Sequence, residues 1–469
     1  MPRLCETAHD AVADIQDGAS LLVHSFGPPQ AWPMDLLQAL ADRGVKDLTV
    51  ICNTTSAGPA SLQVLAEKHQ VRKLICTYAM LPVGPTPFSE QIKRGEVELE
   101  LVAQGTLAER VRAGGAGLAG FYTPVGVGTV VAEGKEVRDF DGRPHLFEHA
   151  LTADFAFIAA DRADPAGNLT YRCGARNLGP AFATAGRITI AEVHEVVPLG
   201  GIDPEAVITP GIFVDRLLTT TQRWEPQVVR MIMSMAGRSR TMAGAATSDG
   251  KVGLPPDLMA MRAAALLRPG EFVNLGLGLP TLVSNFIAGR EVTLHAENGI
   301  LGYGPFPEEG HEDVDLYNAS GQLVTPVPGT SYFDSTVSFA MARTGRVTSV
   351  ILGGFQVAPN GDLANWNIPA TGLGGIGGAM DLAAGGGRII VMMSHREKGG
   401  ASKLVSALTY PATARGCVRD VVTDLGYVQV TPAGFVLKEI APGLTVDDVR
   451  AATAAPLQVA ADVREMQFD

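Results

Sequence analysis

The sequence predicts an α/β protein made of two structurally similar halves with mainly parallel sheets. Three observations predict it. Short apolar runs of strand length alternate with helical stretches. At 469 residues the chain exceeds one ordinary hydrophobic core. A short pattern also recurs, in the same order of neighbours, in both halves of the chain.

The elements follow in chain order. Leu21 to Val23, Leu48 to Ile51, Phe155 to Ala160 and Ile188 to Val193 are short, largely apolar runs that read as buried strands. Met34 to Ala41 and Thr106 to Arg112 read as helices. Residues 219–256 differ: Arg230, Arg238 and Arg240 sit among Met, Ser, Gly and Ala, and Ser248-Asp249-Gly250 is followed by Pro255-Pro256. This stretch reads as a connector, or else as a helix plus a surface loop within one domain. The flanks favour a connector, with domains at 1–240 and 241–469. Pro165-Ala166-Gly167-Asn168-Leu169 in the first flank matches Pro359-Asn360-Gly361-Asp362-Leu363 in the second, a shift of 362 − 168 = 194 residues. Each copy precedes a Gly/Ala-rich segment and then an apolar strand, Arg187-Ile188-Thr189-Ile190 or Arg388-Ile389-Ile390-Val391. Upstream, Asp17-Gly18 before Leu21 parallels Pro269-Gly270 before Phe272. Sites often form where two such halves pack together.

Composition excludes several classes. Hydrophobic residues are 46% and charged residues 18%, as in a folded globular chain. A net charge of −12 argues against a nucleic-acid partner, which needs a basic face. It leaves room for an anionic small molecule, whose binding depends on the local field. Five scattered cysteines without a C-x-x-C pair predict neither a disulfide framework nor a zinc site, and no metal-ligand cluster is visible. The first ten residues carry no apolar signal core and no Arg/Ser-rich transit pattern, and no apolar run is long enough to span a bilayer. A cytoplasmic protein without a membrane partner is expected. Gly372 to Gly377 has G-x-G-x-x-G spacing, but a poor strand with Pro369 precedes it, so no dinucleotide cofactor is expected.

The segment that carries chemistry is Leu294-His295-Ala296-Glu297-Asn298-Gly299-Ile300-Leu301-Gly302-Tyr303-Gly304-Pro305. An apolar strand runs into an acid, an amide and Gly-rich backbone. A carboxylate held and desolvated there can act as a nucleophile. Equally, Glu297 can cap a turn that Asn298-Gly299 makes. His295 lies two residues before Glu297 and reads as structural. His24 either meets a substrate carboxylate or ends a strand. His395-Arg396-Glu397-Lys398 reads as a solvated charged turn, or else as one that meets CoA phosphates.

This segment resembles the active-site signature of the family I coenzyme A transferases, of the succinyl-CoA:3-oxoacid and 3-oxoadipate type, with Ala296 where the signature has Ser. The resemblance covers nearly the whole chain. Gln104-Gly105-Thr106-Leu107-Ala108-Glu109-Arg110 and Phe121-Tyr122-Thr123-Pro124-Val125-Gly126 resemble the first of the family's two subunits. Asn274-Leu275-Gly276-Leu277-Gly278-Leu279-Pro280-Thr281, Gly361-Asp362-Leu363-Ala364-Asn365-Trp366 and Gly375-Ile376-Gly377-Gly378-Ala379-Met380-Asp381-Leu382 resemble the second. The chain resembles both subunits fused, in two CoA-transferase-like domains. Departures fall at His24 to Trp32, which lacks two of the family's glycines, at Asn318-Ala319-Ser320-Gly321, and at Thr344-Gly345-Arg346.

The resemblance implies a transferase that moves CoA from an acyl-CoA such as succinyl-CoA to a carboxylate such as a 3-oxoacid, in ketone-body or fatty-acid metabolism. Glu297 is implied as nucleophile. It forms an acyl-glutamyl anhydride and then a glutamyl-CoA thioester, in ping-pong order. Gln104 and the backbone N–H groups near Gly378 and Ala379 are implied as oxyanion donors. Asn53, Asn274, Asn298 and Gly299 are implied to shape the substrate and CoA site. No cofactor or metal is implied, CoA being substrate, and the partners are acyl-CoA, small carboxylic acids and further copies in a homo-oligomer. Three alternatives stand beside this: CoA transfer to 3-oxoadipate or another carboxylate, acyl-CoA hydrolysis through the same glutamate, and CoA binding without catalysis.

Overall fold

The apolar runs become strands of two large sheets. The computed structural model describes residues 1–27, 31–56, 61–79, 85–221, 253–371 and 374–468. The first half supplies Arg3–Leu4 (β1), Ser20–Val23 (β2), Leu48–Thr54 (β3), Val71–Tyr78 (β4), Glu98–Leu101 (β5), Gly120–Thr123 (β6), Val137–Phe140 (β7), Arg143–His149 (β8), Ala153–Ala163 (β9), Leu169–Thr170 (β10), Gly186–Val196 (β11) and Arg216–Thr219 (β12). The second supplies Phe272–Leu275 (β13), Thr293–Ala296 (β14), Ile300–Tyr303 (β15), Pro326–Tyr332 (β16), Ser349–Leu352 (β17), Gln356–Val357 (β18), Leu363–Ala364 (β19), Arg388–Met392 (β20), Val418–Val422 (β21), Gly426–Thr431 (β22), Gly434–Ile440 (β23) and Leu457–Glu465 (β24).

The first sheet runs β1-β12-β11-β9-β2-β3-β4-β5, with every neighbouring pair parallel. The second runs β16-β15-β14-β13-β17-β20-β21-β22-β23-β24. Its centre, β14 to β21, is parallel, and antiparallel pairs flank it on both sides. The order β12-β11-β9-β2-β3 has the same form as β21-β20-β17-β13-β14. The repeat at 194 residues is therefore a repeat of sheet topology.

Both faces of the first sheet are covered, as a parallel sheet requires. Leu21, Val23, Val50 and Cys52 pack in one layer, while Leu22 and Ile51, one residue out of phase, pack in the other. The halves interlock. Tyr317 of the second half is wholly buried in one of these layers and Phe339 in the other. Tyr317 Oη also donates to Phe26 O at 3.0 Å.

Helices Met34–Arg43 and Gln104–Gly115 stand where helices are expected, the second beginning two residues earlier than Thr106. Of the expected connector, 222–252, with Arg230, Arg238 and Arg240, lie outside the described residues. So do Pro28 to Gln30 of the His24 to Trp32 loop, and Gly372 and Leu373 of the glycine-spaced motif. The solvated turn expected at His395 is corrected for that residue. Its ring is fully buried between Thr423 Oγ1 at 3.0 Å and Thr453 Oγ1 at 2.9 Å. Among the described residues no helix is long and apolar enough to cross a membrane.

Candidate active site

Glu297 stands at the tip of a hairpin. Ala296 and Ile300 pair across β14 and β15, so Glu297, Asn298 and Gly299 form the three-residue connection. Gly299 makes it possible. Its φ is +109°, and a β-carbon there would lie 1.8 Å from Phe333 O. The turn thus lifts Glu297 off the end of a central parallel strand, where open α/β sheets place their ligand sites.

The carboxylate is nearly enclosed, at 7% exposure, and its Oε2 has no hydrogen-bond partner. Burial pushes its pKa up, and its own backbone N–H and the Asn274 side chain pull it back. The hydroxyls of Tyr78 and Tyr303 are raised as well, by burial first and then by the charge of Glu297.

A relay fixes the strand beneath it. Asn274 Nδ2 donates to His295 Nδ1 at 3.1 Å and to His295 O at 3.3 Å. The His295 Nε2–H is then left to meet Ser338 Oγ at 2.8 Å, and Ser338 Oγ donates to Ala296 O at 3.2 Å. Burial lowers the His295 pKa to about 4, so the ring is neutral near pH 7 and serves as a structural link. Asn274 Oδ1 is buried without a partner, like Glu297 Oε2. Each of these two oxygens can thus accept a further donor.

The first half supplies the opposite wall. Gln104 opens helix Gln104–Gly115 and is 2% exposed. Its Nε2 donates to Asn53 Oδ1 at 2.8 Å, which leaves the second amide N–H free to donate. Gly378 lies between the halves. A β-carbon there would be 3.1 Å from Glu297 Oε1 and 3.2 Å from Gln104 Oε1. The backbone at Gly378 therefore passes directly against both side chains. Ala379 is the first residue of helix Ala379–Ala384, whose opening N–H groups have no partner within the helix.

The structure thus brings Asn53, Gln104, Asn274, Glu297, Gly378 and Ala379 to one place, while Asn298 and Gly299 build the turn. Asn298 Nδ2 donates to Tyr317 O at 2.7 Å, and its Oδ1 is unpartnered. His24 is committed elsewhere: its buried Nε2 meets Asn177 Oδ1 at 2.7 Å, and burial lowers its pKa to about 4. Of its two readings, the structural one holds. Sequence reasoning misses Tyr78, Tyr303 and Ser338. Tyr303 lies in the glycine-rich segment, but a tyrosine in an apolar strand carries no sign of a site, and Tyr78 and Ser338 stand in segments with no chemical pattern.

Three comparisons bear on this arrangement. The family model described as coenzyme A transferase matches residues 5–219 and 257–452. The chain is 39% identical to the human mitochondrial succinyl-CoA:3-ketoacid coenzyme A transferase 2, over 98% of this chain and 90% of the relative. It is 50% identical to one of the separate subunits of the succinyl-CoA:3-ketoacid coenzyme A transferase of Xanthomonas campestris, over 46% of this chain and 89% of that subunit. One such subunit therefore corresponds to about half of this fused chain. Among solved structures, an acyl-CoA transferase from Escherichia coli O157:H7, in a thioester complex with CoA, shares the fold. Its TM-score is 0.80 at 20% identity, covering 100% of this chain and 95% of that one.

The human relative overturns one expectation. It is a mitochondrial enzyme, so the cytoplasmic placement read from residues 1–10 is withdrawn. The lack of a targeting pattern in ten residues describes those residues and does not assign a compartment.

Proposed function

The chain belongs to the coenzyme A transferase family, and on that premise we propose that Glu297 is its covalent nucleophile, with succinyl-CoA and a 3-oxoacid as the exchanging pair. The chain is an enzyme that transfers CoA between an acyl-CoA and a carboxylate. The observation that carries the finer reading is the buried, unpartnered Oε2 of Glu297, beside backbone that has no side chain at Gly378.

In the proposed route a Glu297 oxygen attacks the thioester carbonyl. The C–S bond breaks, CoA leaves as thiolate, and an acyl-glutamyl anhydride remains. The thiolate then attacks the glutamyl carbonyl and releases the first acid. Glutamyl-CoA awaits the second carboxylate, which reverses both steps. Each attack places negative charge on an oxygen. The free N–H of Gln104 and the N–H groups at Gly378 and Ala379 are the donors we assign to it. Asn53 orients Gln104, and Asn274 faces the carboxylate. The burial that raises the Glu297 pKa also strips water from its ionised form, which sharpens it as a nucleophile.

The identity to a human enzyme named for succinyl-CoA and 3-ketoacids supports that substrate pair, and with it a role in ketone-body metabolism. We also propose a domain division at 1–240 and 241–469, and a homo-oligomer whose contacts cover exposed apolar side chains such as Ile212. The decisive experiment is intact-protein mass after mixing with succinyl-, acetoacetyl- or acetyl-CoA without an acceptor acid, followed by borohydride trapping and peptide mapping. A CoA adduct on Glu297 is expected. Steady CoA release without an adduct would replace this reading with hydrolysis.

A further inference from the structure

Asp381 is fully buried and belongs to helix Ala379–Ala384, two residues after Ala379. Its Oδ2 accepts the backbone N–H of Gly105 at 2.9 Å, across 276 residues of sequence and from the other half of the chain. Gly105 directly follows Gln104. The Gln104 N–H itself donates to Gly377 O at 3.0 Å. The segment 377–381 therefore holds the start of the Gln104 helix at two successive N–H groups, and Gly378 lies inside that segment. Arg343 Nη1 stands 3.8 Å from Asp381 Oδ1, and Arg343 Nη2 pairs with Glu109 at 3.2 Å, so a second cross-link steadies the same junction. A buried carboxylate is retained only at an energetic cost, and here it is spent on a contact between the two halves rather than on the surface.

We propose that Asp381 is a positioning residue: it fixes the side-chain amide of Gln104 and the backbone N–H groups at Gly378 and Ala379 relative to each other, so that donors from the two halves of the chain address one oxyanion. The inference rests on the roles assigned above to Glu297 and Gln104. Without Asp381 each donor survives, but on an element free to shift. A displacement of about 1 Å in such a site lowers rates by about 10²-fold without removing substrate contacts.

The test is single-turnover formation of the Glu297 adduct, using whichever of succinyl-, acetoacetyl- or acetyl-CoA the wild type turns over fastest. In Asp381→Ala the rate at saturation should fall by about 10²-fold, while the half-saturating concentration stays within about threefold. Asp381→Asn keeps an acceptor oxygen for Gly105 N–H and should recover most of the rate. Gly105→Ala disturbs the same contact while keeping the Asp381 side chain, since its β-carbon would fall 2.4 Å from Asp381 Oδ1 and 2.6 Å from Phe339 Cδ1. It should reproduce the loss with the fold intact by circular dichroism, and Asp381→Ser carries the test, with the same expected loss, if either variant fails to fold. Adduct formation at the wild-type rate in Asp381→Ala or in Gly105→Ala overturns the inference alone. So does equal damage from Asp381→Ala and Asp381→Asn. A wild type that forms no adduct on Glu297 overturns the nucleophile assignment, and the inference with it.

Discussion

Gln104 Nε2 donates to Asn53 Oδ1 at 2.8 Å, tying the first residue of a helix to the end of β3. That bond orients an amide whose other N–H is free, and it separates the roles of the two residues. Gln104→Ala deletes the donor and should lower turnover by about 10²-fold or more. Asn53→Ala leaves the donor in place without its guide and should lower turnover less. Steady-state kcat for the two variants checks this. An unchanged rate in Gln104→Ala would leave the residue as a helix terminus only.

Glu297→Gln keeps the shape of the side chain and removes the nucleophile. Transfer should fall to background and no CoA adduct should form, with the fold intact by circular dichroism. Retained transfer would move the nucleophile elsewhere.

Much of the fold was legible because burial on both faces of a parallel sheet leaves a direct trace: Leu21-Leu22-Val23 and Ile389-Ile390-Val391 cannot sit anywhere wet. The antiparallel margin of the second sheet was not read, although β23 alternates buried and half-buried residues from Gly434 to Ile440, the period-2 sign of a strand with one covered face. At the site, Glu297, Gln104 and Gly378 were named through the family resemblance of their motifs, and the structure places the three side by side. Asp381 and Ser338 were not so named. Asp381 sits inside a matching block, but its partner Gly105 lies in the other half, and no local pattern announces a contact across 276 residues. Ser338 reaches His295 from a helix whose sequence, Ser335 to Arg343, reads as ordinary packing.

Gly378→Ala tests how closely the backbone must approach. The added methyl carbon would stand 3.1 Å from Glu297 Oε1, 3.2 Å from Gln104 Oε1 and 3.2 Å from Phe339 Cε1. Phe339 is fully buried in the core, so the two polar side chains are expected to shift. Turnover should fall by about tenfold or more while the melting temperature changes little, because the strain is relieved by moving site groups rather than core ones. Calorimetry beside steady-state kinetics separates the two. A large loss of stability with normal turnover would place the crowding in the core instead.

Asp381 also predicts how stability changes with pH. Burial raises its carboxyl from 3.8 to about 7, against the pull of Arg343, the Gly105 and Asp381 backbone N–H groups and Thr106. The folded state therefore holds this proton at pH values where the unfolded chain has released it. Where the native state binds more protons, stability falls as pH rises. The window runs from about 4 to about 7, and within it the group removes up to about 1.4 kcal/mol per pH unit. Glu297 acts in the same direction upward from 4.5, since burial raises its carboxyl too. Asp381→Asn carries no titrating proton, so its urea midpoint should gain on the wild type steadily between pH 4.5 and 6.5. Parallel midpoints across that range would mean that Asp381 titrates as an ordinary carboxylate, with Arg343 and the Gly105 N–H offsetting its burial in full.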